Sequence, residues 1–222
     1  MRRTENRPLP ARRLTGEQAT LFAALLAAAG LALLAGFVNL LATLLAAASL
    51  LVYILVYTPL KTRTTANTLV GAVSGALPPV VGWCGATGRL GAPAAVLFGI
   101  LFLWQMPHFW ALALRYRADY AAGGFPMVSE RVGVEGTARL ILLYALGLTA
   151  WSLAAPTFGL GGPMALVAAA ALGGRLIWLA AKFARQPEDQ RGWLSLFLFS
   201  NFYLLLLFLA LVVERLVRHA LL

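Results

Sequence analysis

Leu101–Met127, LFLWQMPHFWALALRYRADYAAGGFPM, decides the fold. An apolar run long enough to enter a bilayer carries Gln105, Pro107 and His108 inside it and ends in Arg115, Arg117 and Asp119. Polar and titratable groups in hydrocarbon are costly unless they face a cavity or a partner. The stretch therefore predicts a membrane helix bearing a buried polar site. On a continuous helix, His108, Arg115 and Asp119 fall within about 20° of one meridian and Trp104 within about 40° of it. That geometry predicts one stripe running from mid-membrane to the aqueous edge. Pro107 cannot donate to the Leu103 carbonyl, which predicts a kink.

Composition agrees with that class. The chain is 61% hydrophobic and 12% charged, with a mean hydropathy of +0.81, whereas soluble domains carry about 25% charged residues. An all-α, polytopic helical bundle in the lipid bilayer follows. Cys84 is the only cysteine, so no intrachain disulfide forms. The net charge of +10 is spread between apolar runs and makes no separate basic domain, which excludes a nucleic-acid partner. Seven spans are predicted, at about 18–38, 40–58, 67–85, 92–114, 137–156, 163–183 and 192–213. Residues 118–136 are expected to form a long loop, and 1–222 a single transmembrane domain.

Fourteen of the eighteen Lys and Arg residues fall on one side of these spans and three on the other, with Arg175 inside a helix and expected to snorkel outward. The positive-inside rule predicts a cytoplasmic N-terminus, an external C-terminus and a multi-pass protein of the cell membrane. In the third span, Gly71 and Gly75 permit close helix approach. Pro78 and Pro79 remove the donors to Ser74 and Gly75, so the span is either a kinked packing helix or a broken helix lining a site.

Two polar clusters lie on the cytoplasmic side, Tyr57–Asn67 (YTPLKTRTTAN) and Arg115–Tyr120 (RYRADY). Lys61 and Arg63 suit phosphate oxygens, and Asp119 is a hard oxygen ligand of the kind Mg²⁺ accepts. Together they suit an anionic diphosphate at the inner membrane edge. Trp83, Trp104, Phe109 and Trp110 are candidates to hold an isoprenoid tail or face a carbocation. Cytoplasmic-loop cations and interfacial aromatic residues have simpler readings, as topology signals and belt residues.

In order and wording, YTPLKTRTTANTLVGAVSGALPPVVGWCGATG, LFLWQMPHFWALALRYRADYAAGGFPM and the opening MRRTENRPLPARRLT resemble the UbiA-type intramembrane prenyltransferases, and within them the haem O synthase (protohaem IX farnesyltransferase) branch. The resemblance covers nearly the whole chain. It implies a fold of about nine helices, of which seven are present, and transfer of a farnesyl group from farnesyl diphosphate to a vinyl group of haem B. The product is the hydroxyethylfarnesyl haem, haem O, destined for a downstream haem A synthase or terminal oxidase. By the same resemblance, Lys61 and Arg63 would bind diphosphate, and Arg3 and Arg7 would border its pocket. Asp119 would sit near Mg²⁺. Trp104, Gln105 and His108 would lie by the porphyrin, with Asn67 and Arg117 among the substrate contacts.

The chain departs from that pattern twice. Position 123 is Gly123 where many relatives carry the second acid of a DxxxD motif, and the first aspartate-rich motif, which precedes the RTxNRPL segment, is missing. The chain is therefore expected to be N-terminally incomplete and inactive alone. The competing readings are a UbiA-type enzyme for another aromatic acceptor, such as a quinone precursor, and a non-catalytic membrane protein.

Overall fold

The computed structural model describes residues 4–220. Seven helices among them are long and apolar enough to cross a membrane: α1 (Gly16–Phe37), α2 (Leu40–Leu60), the pair α3 (Asn67–Gly75) and α4 (Pro78–Thr87) that together make the third span, α5 (Ala92–Arg115), α7 (Val128–Ala154), α8 (Pro163–Arg185) and α9 (Gln190–Ala220). A short helix, α6 (Arg117–Ala122), follows α5. No strand occurs among the described residues. The expected spans are all present.

Local chemistry sets the helix ends. Thr15 starts α1 with a reciprocal capping box, its side chain accepting from the Gln18 amide while Gln18 accepts from Thr15. Asn39 serves two helices at once. Its Oδ1 caps α2 through the Ala42 N–H at 2.8 Å, and its Nδ2 donates to the Cys84 and Gly85 carbonyls near the end of α4. The buried carboxylate of Glu214 reaches from α9 to the N–H groups of Gly162 and Ala165 at the start of α8, where the helix dipole favours negative charge, and pairs with Arg218.

Helices α5, α7, α8 and α9 close into a ring, each packed on its two neighbours. Ile100, Met106, Ile141, Leu148, Leu176, Leu207 and Tyr203 fill it, and the Tyr203 hydroxyl bonds Ser152 at 2.8 Å. Gly173 lies against Thr149 and Gly99 against the Trp151 indole, so close approach across these helices rests on the missing Cβ. Outside the ring, α3 and α4 lean on α5, α2 packs on both, and α1 touches α2. Arg175 lies over the Trp178 ring at 4.4 Å, with Lys182 on the same ring at 5.7 Å, a ladder toward the basic end.

Three expectations change. Helix α5 runs without a break through Pro107 for 24 residues, because neighbouring helices in a bundle compensate for a lost backbone bond. The predicted stripe is interrupted instead at Tyr116, whose φ of −106° and ψ of 23° end α5 and start α6 on a new axis. Residues 118–136 are largely helical, because α7 begins at Val128 and turns at Gly133, whose φ of 71° only glycine adopts readily.

Candidate functional site

A cavity of about 1180 Å³ opens between α2, α3 and α5, under the folded N-terminal segment that carries Thr4–Leu14. Three local features shape it. Pro59 has no N–H for the turn before it, and α2 widens there into a π turn over Val52–Tyr57, with the Thr58 hydroxyl donating to the Tyr53 carbonyl at 2.8 Å. The turn presents Tyr53 and Tyr57 to the cavity with ring centroids 5.2 Å apart. The third span is a broken helix that lines the site. Pro78 cannot donate to the Ser74 carbonyl, and the Ser49 hydroxyl takes that place from α2 at 3.0 Å. Glycine then lets neighbours approach α3: Gly71 lies under the Tyr57 ring and Gly75 under the Gln105 carboxamide.

The lining changes character with depth. At one end stand the cations Arg7 and Lys61, with Asn67 and Tyr120. Asn67 is buried and donates to the Pro126 carbonyl at 2.7 Å and the Lys61 carbonyl at 3.3 Å, tying the loop after α2 to the loop after α6. Phe125 stays at this end, edge-on to Tyr120 and beside Pro126. Further along α2 and α5 come Tyr53, Tyr57 and Phe109. Deepest lie Ser49, Ser74 and Gln105. The phenol rings escaped sequence reading, although a Tyr pair four apart just before a proline was a usable signal.

Of the sequence-predicted site residues, Arg7, Lys61, Asn67 and Gln105 line this cavity together, and Arg3 lies outside the described residues. Arg63 is exposed on the Lys61 loop and does not line it. Asp119 is next to the lining residue Tyr120, in the first turn of α6, with Oδ2 buried. Arg117 turns to the opposite flank of α6, pairs with Glu188 at 3.6 Å and borders a separate cleft of about 170 Å³.

His108 and Trp104 face the α5–α9 interface. The imidazole stacks between Trp104 and Phe197, each ring centroid 4.5 Å away, with Nδ1 2.9 Å from the Ser200 hydroxyl, while the Trp104 indole donates to the Ser200 carbonyl. Trp110 is in the ring core, edge-on to Tyr144, and Trp83, on α4, packs against the small cluster of Val80, Cys84 and Ala94. Of the four aromatic candidates, Phe109 alone lines the cavity. No cluster of three His, Cys, Asp or Glu occurs among the described residues. Asp119 is the carboxylate beside the lining residue Tyr120, and one carboxylate suits Mg²⁺ only when substrate phosphate oxygens and water complete the shell.

Residues 1–212 match the model of the UbiA prenyltransferase family. The chain belongs to this family. Among UbiA relatives, the protoheme IX farnesyltransferase of Gloeobacter violaceus is 46% identical over 99% of this chain and 72% of its own length. That of a Synechococcus strain is 46% identical over 97% of this chain and 66% of its own length, and that of Sorangium cellulosum 42% identical over 96% and 76%. The chain thus spans about two thirds to three quarters of these relatives. A solved chain described under the biosynthesis of digeranylgeranylglyceryl phosphate synthase in membranes superposes with a TM-score of 0.76 at 18% identity, covering 96% of this chain and 74% of that one. It shares the UbiA fold.

Proposed function

We propose that this cavity transfers a farnesyl group from farnesyl diphosphate to a vinyl group of haem B, giving haem O. The observation that carries the reading is the order in which the spans bring residues to the lining: two cations at the loop end, then the rings of Tyr53, Tyr57 and Phe109, then neutral polar groups. A volume above the roughly 300–1,000 Å³ of ordinary small-molecule sites suits two large substrates. The names of relatives at 40–47% identity support the choice of acceptor.

Lys61 and Arg7 hold the diphosphate with charge-assisted hydrogen bonds. Asn67 keeps the Lys61 loop in place through its two carbonyl contacts. Asp119 would hold Mg²⁺ beside the diphosphate, where the ion supplies charge neutralisation for the leaving group. The faces of Tyr53, Tyr57 and Phe109 stabilise positive charge developing at the farnesyl C1 and exclude bulk water. Alignment of the vinyl carbon with C1 comes from the depth at which each substrate rests.

Membranes containing the chain, supplied with farnesyl diphosphate, haem B and Mg²⁺, decide between this reading and the sequence expectation of an inactive chain: the cavity's lining predicts a farnesylated haem detectable by mass spectrometry. Prenylation of a 4-hydroxybenzoate acceptor without any haem product would move the assignment to the quinone branch.

The same reading places the protein in the cell membrane with the Lys61, α6 and Arg185 ends facing the cytoplasm, so that haem O is delivered within the bilayer to a haem A synthase or terminal oxidase. Support comes from the Asn67–Pro126 and Arg117–Glu188 contacts, which join three basic loops at one end. Reporter fusions after Arg63 and after Arg218 are expected on opposite sides. Finding them on one side would sink this orientation.

A further inference from the structure

The deep end of the cavity holds an acceptor that the binding roles above leave unused. Gln105 is 6% exposed. Its Nε2 donates to the Ala72 carbonyl at 3.2 Å and the Leu101 carbonyl at 3.1 Å. Both neighbours are acceptors, so the amide cannot flip without setting oxygen against oxygen. Oε1 is thereby fixed over Gly75, where a Cβ would collide with it. None of the described residues donates to this oxygen or to the Gly75 carbonyl, which lost its helical donor to Pro79. Gly75 and Gln105 thus bring two acceptors to the break between α3 and α4, where both residues line the cavity.

Depth gives this pair a task. The Tyr57 ring rests on Gly71 and Gln105 on Gly75, one helical turn or about 6 Å apart. Resting on the function proposed above, C1 of the farnesyl group lies at the Tyr57 level. The C1–O bond breaks with its electron pair leaving on diphosphate, and the vinyl π pair forms the new bond from its terminal carbon to C1. The positive charge then sits on the vinyl carbon attached to the porphyrin, deeper by roughly two carbon–carbon bonds. A water molecule adds its lone pair to that carbon and loses one proton to the released diphosphate, giving the hydroxyl of the product. We propose that Gln105 Oε1 and the Gly75 carbonyl hold this water. Two neutral acceptors orient its hydrogens away from the carbocation and leave a lone pair facing it. A carboxylate at this position would compete with the water as nucleophile.

The test reads product identity as well as rate. Full-length chain in membrane vesicles is given farnesyl diphosphate, haem B and Mg²⁺ in ¹⁸O-labelled water. The original chain should form hydroxylated product carrying the label. Gln105→Met, which keeps the side-chain length without the acceptor, should divert the carbocation to proton loss, giving an alkene lighter by one water. The alkene-to-alcohol ratio should rise about tenfold, the change expected for one lost hydrogen bond. Gly75→Ala, a milder change that pushes the amide oxygen aside, should shift the ratio the same way. An unchanged ratio in both variants overturns the proposal, as does unlabelled hydroxyl from the original chain. Loss of both products with farnesyl diphosphate still bound would assign Gln105 to the earlier bond-forming step and overturns it too. If the original chain forms no farnesylated haem at all, the proposed function itself fails, and this inference with it.

Discussion

Helices α1 and α2 have mean hydropathies of 2.2 and 2.4 in their most apolar windows, against 1.5 to 1.8 for α5, α7 and α8. Yet none of the α1 window is buried and only 6% of that of α2, against 33–44% in the three less apolar helices. In a bilayer, lipid tails solvate leucine as well as protein does, so apolarity does not mark membership of a core; α9, the most apolar span at 2.6, belongs to the ring with 28% of its window buried. The ring instead uses small residues for close approach, with Gly173 against Thr149 and Gly99 against Trp151. The cavity sits where the closely packed ring meets the sparsely packed side. α5 gives one face to each, with Ile100 and Met106 in the core and Gln105 and Phe109 on the cavity wall.

The contrast is open to direct attack. The largest effect is expected from Leu148→Ala in the ring, a loss of about 2–5 kcal/mol in resistance to unfolding, because packing lost around a fully buried leucine leaves a void. Lys61→Ala on the cavity wall should leave unfolding unchanged while lowering farnesyl diphosphate use by roughly 10–150-fold, the range for one lost charge-assisted bond. Arg63→Ala, off the wall, should do less, and equal losses in steady-state kinetics would erase the distinction drawn between them. Tyr203→Phe removes one buried hydroxyl pair with Ser152 and should cost about 0.5–1.5 kcal/mol in the same unfolding assay. Smallest of all, Leu25→Ala on the exposed face of α1 should stay within about 0.5 kcal/mol. A Leu25 effect approaching that of Leu148 would mean that the α1 face is packed and not solvated by lipid.

The seven spans and the lost donors at Pro78 and Pro79 were legible from length, hydropathy and a missing N–H, but the choice between a kinked packing helix and a broken helix lining a site was not, because it depends on the partners Ser49 and Gln105 of other helices. Of the basic end, the structure brings Arg7, Lys61 and Asn67 to one cavity wall, whereas Arg63 and Arg117 lie off it. The assignments of Trp104 and His108 rested on which face of α5 meets the cavity. A helix that is apolar all round gives no periodicity from which to choose that face. The His108 stack on Phe197 and the bonds of both residues to Ser200 reach about 90 positions along the chain, beyond any local pattern. The π turn was equally hidden, since Val52–Tyr57 reads as ordinary apolar helix until the effect of Pro59 on the preceding turn is considered.

That turn makes the winding of α2 a functional quantity. On an unbroken α-helix, Ser49 and Lys61 would point about 120° apart. Both line the cavity, because a π turn absorbs one residue and brings them to within about 20°. Deleting a single residue from Val52–Tyr57 would restore a regular helix, barely shorten the span and keep every apolar residue in lipid. It would also leave Lys61 within about 20° of Ser49, because eleven residues of regular helix turn through the same net angle as twelve that include the π turn. The same residues wound as a regular α turn would instead swing Lys61 away by about 100°, so sequences of equal length, fold and hydropathy can differ in whether the lysine reaches its substrate, according to whether they keep the π turn.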